Sequence, residues 1–155
     1  MSQSRQVTTL WTAADVTRLI ELQFPHVHEG SGRLIIESVG ENVATVRMQA
    51  DPSMIRPGGT VSGPAMFKLA DLAVYAAVLA RLGDAGIEAV TTSMTMNFLR
   101  RPAPGDLIGR VRVLKFGRRL VVAEVTMTSG DDPEIVAHAT STYAIPPTGK
   151  PALTK

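Results

Sequence analysis

Between residues 33 and 48 polar and apolar side chains take turns. Val43, Thr45 and Arg47 alternate with Ala44, Val46 and Met48, the two-residue period of a strand with one buried face. "RLIIESV" (33–39) just before it is also strand-like, and the short "GE" between the two runs predicts a hairpin. Residues 62–83, "SGPAMFKLADLAVYAAVLARLG", abandon that rhythm. Their apolar residues go most of the way round a helical period, which predicts a long helix buried on several sides. Ser62 suits the N-cap, Pro64 the first turn, where a missing N–H costs nothing, and Gly83 the stop. Alanines at 65, 70, 73, 76, 77 and 80 allow a sheet to approach closely.

Strand-like runs then return four times. "EAVTTSMTMNFLR" puts Met94, Met96 and Phe98 on one face and Ser93, Thr95 and Asn97 on the other. "DLIGRVRVLKFG" and "RRLVVAEVTMTS" meet in a tight hairpin at Gly117-Arg118. "EIVAHATSTYAI" is the last strand, stopped by Pro146 and Pro147. Ahead of all these, "WTAAD" offers Thr12 as an N-cap with Asp15 three residues on, predicting a short helix over 13–23 that ends before Pro25. Residues 25–32 and the Pro- and Gly-rich 51–60 read as loops. Residues 1–9 and the tail 147–155 are expected to be loose. Helix, two strands, long helix, four strands is an α+β order, an antiparallel sheet wrapped round one helix, with no linker to divide the chain of 155 residues.

Composition narrows the chemistry. With no cysteine, disulfides and thiolate metal sites are excluded. His26, His28 and His138 are too few and too scattered to predict a metal site. His138, inside an apolar strand, is expected to be structural. A net charge of +2 is far from that of a nucleic-acid binder. The basic residues still gather locally, at Arg100-Arg101 and at Lys115, Arg118 and Arg119, a bias that suits an anionic small molecule. Lys68, Asp71 and Arg81 interrupt the longest apolar run, so no membrane span is expected, and the N-terminus lacks a secretory pattern; a cytoplasmic protein is the expectation.

Asp71 stands out. One reading is a solvated carboxylate paired with Lys68, three residues earlier, for a few tenths of a kcal/mol. The other begins from the cost of burying an unpaired carboxylate, which makes a carboxylate in a dry pocket a candidate base or nucleophile. Upstream, the N–H of Gly63 lies at the positive end of the same helix, able to hold an anion or polarise a carbonyl oxygen. Eight residues of helix separate Gly63 from Asp71, about 12 Å, too far for both to act on one bond. If both act, they come from different chains, and the site sits at a dimer interface.

The stretch "RPGGTVSGPAMFKLAD" (56–71), with the strands over 96–127 and 136–146, resembles the hotdog-fold acyl-CoA thioesterases of the phenylacetate-degradation (PaaI-like) type. The likeness runs from about residue 33 to 146. It implies a hotdog fold, hydrolysis of an acyl-CoA thioester, no cofactor beyond the coenzyme A of the substrate, and homodimers that double into homotetramers. It makes Asp71 the catalytic carboxylate and Gly63 of the partner chain the donor to the thioester carbonyl. Ser62 stands where the family has His, Arg56 where it has Asn or Gln, and Pro64 where it has a second Gly. Arg56 is thereby placed to hold an anion or Asp71 itself. Tyr75, one turn after Asp71, is expected either to line the acyl pocket or to pack in the core. Asn97, with Thr92 and Ser93, either lines the pocket or faces solvent, and Arg100, Arg101 and Arg118 are either ordinary surface charges or contacts for the coenzyme A phosphates, for which the guanidinium fork is suited. A second reading keeps the fold and drops the reaction, leaving a protein that binds acyl-CoA without turning it over. The hydratase branch of the fold is disfavoured, since no histidine falls within 56–83.

Overall fold

A computed structural model describes residues 10–147; the segments 1–9 and 148–155, read above as loose, lie outside the described residues. Helix α1 (Ala13–Gln23) begins with Thr12 and Asp15 in a reciprocal capping box. Strands β1 (Leu34–Gly40) and β2 (Val43–Met48) form the expected hairpin. The 51–60 loop holds a single 3₁₀ turn (Pro52–Met54) and a miniature ribbon of β3 (Ile55–Arg56) with β4 (Thr60–Val61). Gly58 and Gly59 turn that ribbon at φ of 98° and 72°, backbone angles that L side chains avoid. Helix α2 (Gly63–Leu82) follows, then β5 (Val90–Phe98), β6 (Leu107–Phe116), β7 (Leu120–Ser129) and β8 (Ile135–Ala144).

The six long strands make one antiparallel sheet in the order β1-β2-β6-β7-β8-β5. It wraps α2, whose Leu69, Ala70, Ala73, Val74, Ala76, Val78, Leu79 and Ala80 are wholly enclosed. The small side chains serve close approach as expected: Leu69 packs over Gly109 of β6, where an added methyl group would meet it at 3.3 Å. This is the α+β hotdog architecture. Among the described residues no helix is long and apolar enough to cross a membrane.

One strand departs from simple alternation. β5 pairs Thr91 with Tyr143 and then Ser93 with Thr142, which leaves Thr92 as an extra residue in a β-bulge. Beyond the bulge, Met94, Met96 and Phe98 share the face of Ser141, Ala139 and Ala137. Before it, Thr91 takes that same inward face opposite Tyr143, whereas strict alternation from Met94 would turn Thr91 outward.

Candidate active site

Asp71 lies one turn before the fully enclosed middle of α2, on the side where the sheet stops at its β5 edge. Its carboxylate does not meet Lys68. The Lys68 ammonium instead donates to the Glu29 carbonyl and the Ser31 hydroxyl, both at 2.8 Å, pinning the 25–32 loop to α2. The helical i,i+3 pair is therefore overturned by two acceptors across the fold.

Two hydroxyl groups occupy the Asp71 carboxylate instead, and both converge on Oδ1. Tyr143 donates from 2.7 Å, and Thr91 donates from the inward face that the bulge gives it. No partner is recorded for Oδ2 among the described residues. Asp71 borders a cleft of about 620 Å³ between the end of α1 and the β5 edge. Phe24, Val27, Leu72, Tyr75 and Val90 give that cleft an apolar wall. Tyr75 packs in the core and also borders this cleft. It is stacked on Tyr143 at a centroid distance of 6.1 Å, with its hydroxyl on the Ile87 carbonyl at 2.7 Å. Burial pushes its phenol up to about 12. The Tyr143 phenol is raised further by burial and then by the adjacent Asp71 charge, so it stays protonated and acts as a donor.

Gly63 opens onto a different cleft, of about 370 Å³, shared with Arg56, Thr60, Phe98, Arg100 and Arg101. The α2 N-terminus is fixed there by three contacts. The Ser62 hydroxyl accepts from the Ala65 N–H at 3.3 Å, the Ser62 N–H donates to the Met54 carbonyl at 2.7 Å, and Thr60 donates to the Pro102 carbonyl. Ser62 is thus the N-cap, and Pro64 sits exposed in the first turn beside it. Arg100 pairs with Glu134; Arg56 and Arg101 are exposed and make no ion pair among the described residues. Arg56 and Asp71 border separate clefts, so within one chain Arg56 does not hold Asp71.

Other expected site residues stand apart. Asn97 is on the outer face of β5, opposite His138, and borders neither cleft. Arg118 is exposed in the β6–β7 turn, by the end of β8 that pairs with the start of β5, whereas Arg100 and Arg101 follow the far end of β5. His138 lies 3.2 Å from Glu124, which also takes Arg112. His26 and His28 lie in the turn after α1, against Glu29 and Glu21. The residues that sequence reasoning missed are Thr91 and Tyr143. A phenol on an inward strand position needs a polar partner, and that much signal was present; its partner was not.

A family model described as the thioesterase superfamily matches residues 58–136, just over half of the chain. A crystal structure from Silicibacter sp. TM1040, described as a "putative thioesterase", is 40% identical, with 92% of this chain and 97% of that one covered at a TM-score of 0.79. The chain belongs to the thioesterase superfamily. Another superfamily structure, from Ralstonia eutropha JMP134, is described as a "putative thioesterase, phenylacetic acid degradation-related protein"; it is 25% identical over 84% of this chain and 98% of its own, with a TM-score of 0.72. A curated relative from Saccharolobus solfataricus, named "putative esterase", is 25% identical over 140 residues, 90% of this chain and 83% of that protein. Superfamily membership makes the chain a thioester hydrolase, of the PaaI-like kind its residues resemble.

Proposed function

We propose that this thioester hydrolase cleaves acyl-CoA to a carboxylic acid and free coenzyme A, at a site shared by two copies of the chain. The observation that carries the reading is Asp71: a carboxylate on the wall of an apolar cleft, with Oδ1 anchored by two hydroxyls and Oδ2 left for the reacting atoms. Water bonds to the thioester carbon as Oδ2 takes its proton, or Oδ2 itself attacks and water releases the acyl group afterwards. The carbonyl oxygen, negative in the tetrahedral state, accepts from the partner's Gly63 N–H at the positive end of α2. The C–S bond then breaks, and the sulfur leaves as the coenzyme A thiol with the proton that Oδ2 took from water; on the covalent route it leaves as the thiolate and gains its proton from the water that releases the acyl group.

The single chain supports the shared site by what it leaves unfinished. β5 is an edge strand, and Phe67, Val90, Phe98 and Leu99 near it are 40–58% exposed. A second copy pairing edge to edge covers these side chains. Antiparallel pairing of two β5 strands sets the Phe98 end of one beside the Thr91 end of the other. The Gly63 cleft of one copy then meets the Asp71 cleft of its partner. The same pairing draws Arg100 and Arg101 of one chain toward Arg118 of the other, a basic rim for the coenzyme A phosphates, with Arg56 beside Gly63. Further pairing of dimers gives the tetramer.

Release of free thiol from acetyl-, hexanoyl-, palmitoyl-, benzoyl- and phenylacetyl-CoA tests the reading. The native chain is expected to cleave at least one of them, and Asp71→Asn to lose all but a trace of that cleavage without unfolding. Undiminished hydrolysis by that variant defeats the assignment of Asp71. Tight binding of the panel with no thiol released decides for an acyl-CoA carrier instead.

A further inference from the structure

We propose that Tyr143 is the positioning residue of the site, holding the Asp71 carboxylate so that Oδ2 faces the substrate. The proposal rests on the reading of Asp71 above. The Tyr143 oxygen lies 2.7 Å from Asp71 Oδ1 and 2.9 Å from the Asp71 carbonyl, two acceptors for the single phenolic hydrogen. While the carboxylate is ionised the hydrogen goes to Oδ1, because a charge-assisted bond is the stronger. When Asp71 takes up a proton, or an acyl group, the phenol can turn to the carbonyl and keep a partner throughout. Its donor therefore follows the charge on Asp71 through the cycle without leaving a buried hydroxyl unsatisfied at any stage.

The ring that carries this hydroxyl is held firmly. Tyr143 is 3% exposed and stacks on Tyr75 at an interplanar angle of 19°. Tyr75 is fixed in turn through its own hydroxyl on the Ile87 carbonyl and by Phe24 edge-on at 5.9 Å. A stiff aromatic pair thus ends in one donor aimed at a carboxylate that borders open space. Thr91 meets the same oxygen from an exposed edge strand, where nothing comparable restrains it.

Tyr143→Phe keeps the ring and its stacking and removes only the donor. With hexanoyl-CoA as the probe, kcat is expected to fall by about tenfold to a hundredfold, the effect of losing one hydrogen bond to a charged group, with KM nearly unchanged. In an Asp71→Asn background the same change is expected to have no further effect on residual thiol release, since the phenol acts through Asp71. Crystals of Tyr143→Phe are expected to show the Asp71 carboxylate rotated from its native setting or split between two. A native kcat in the variant, a rise in KM alone, a full additional loss in the Asp71→Asn background, or an unmoved carboxylate overturns the proposal. An inactive Asp71→Asn enzyme beside an unaffected Tyr143→Phe enzyme retires Tyr143 and leaves the Asp71 reading standing. A fully active Asp71→Asn enzyme retires that reading, while the crystals still report on the carboxylate.

Discussion

Tyr75 and Tyr143 are the chain's two tyrosines, and both phenols are displaced in the same direction. Burial lifts Tyr75 from the ordinary value of 10.0 to about 12. Burial, with the Asp71 charge second, lifts Tyr143 further. A folded pKa above the unfolded one means that the stabilisation is whole below pH 10.0, where both states keep their protons. It is lost as pH rises toward 12, because the unfolded chain releases protons that the folded chain retains. The unfolding free energy in urea is therefore expected to fall steeply through that window, and tyrosinate absorbance to appear together with the loss of native circular dichroism. A phenol that titrates near pH 10 in a fully native chain would show that the aromatic pair is open to water. At this scale the sequence disclosed residues with one evident job. Ser62 before an apolar run is a cap, and Asp71 among alanines and leucines is an anomaly that asks for a partner. It did not disclose the partners. Helical spacing makes Lys68 the neighbour of Asp71, and the fold offers it a carbonyl and a hydroxyl instead.

Elements were legible where one period runs unbroken, and ambiguous where the chain inserts a residue. Helix α2 ran from Gly63 to Leu82 because its cap, its proline and its terminal glycine all agree. β5 defeated face assignment at its start, since a single bulge at Thr92 reverses the direction of Thr91, and no alternation rule locates a bulge. In sequence Gly83 is an ordinary helix stop, and the structure adds a reason that lies far away in sequence. Gly83 has φ of 57°, and a methyl group there would sit 2.3 Å from the Trp11 ring, which is held over this turn by the Trp11 backbone N–H donating to the Ala80 carbonyl. Gly83→Ala must therefore strain the backbone and push out the indole. A loss of about 2 kcal/mol or more is expected in urea unfolding. Trp11→Ala combined with it should cost less than the sum of the two single changes, because the clash is gone once the ring is removed. Strict additivity would mean that the two residues do not meet.

At the scale of the whole molecule, Gly63 and Asp71 stand eight residues apart on one helix and open onto separate clefts, so a site that uses both needs two chains. The proposed means of joining them, β5 at the edge of the sheet rather than in its middle, was not legible in the sequence. A shared site makes a claim that no monomer can imitate. Asp71→Asn removes the carboxylate from every site. Gly63→Pro removes the N–H from every site, and the backbone tolerates it: Ser62 is already extended at φ −70° and ψ 149°, as a residue before proline should be, and the first helical turn accepts proline. Each variant alone is expected to be folded and inactive. Unfolding the two together and refolding them as a mixture makes hybrid dimers. In each hybrid, one site joins the intact Asp71 of the Gly63→Pro chain to the intact Gly63 of the Asp71→Asn chain, while the other site carries both lesions. Random pairing makes about half of the dimers hybrid, each with one working site of two, so recovery of about a quarter of native activity is expected. If Gly63 and Asp71 acted within one chain, every site in the mixture would carry a lesion and the refolded sample would stay inactive.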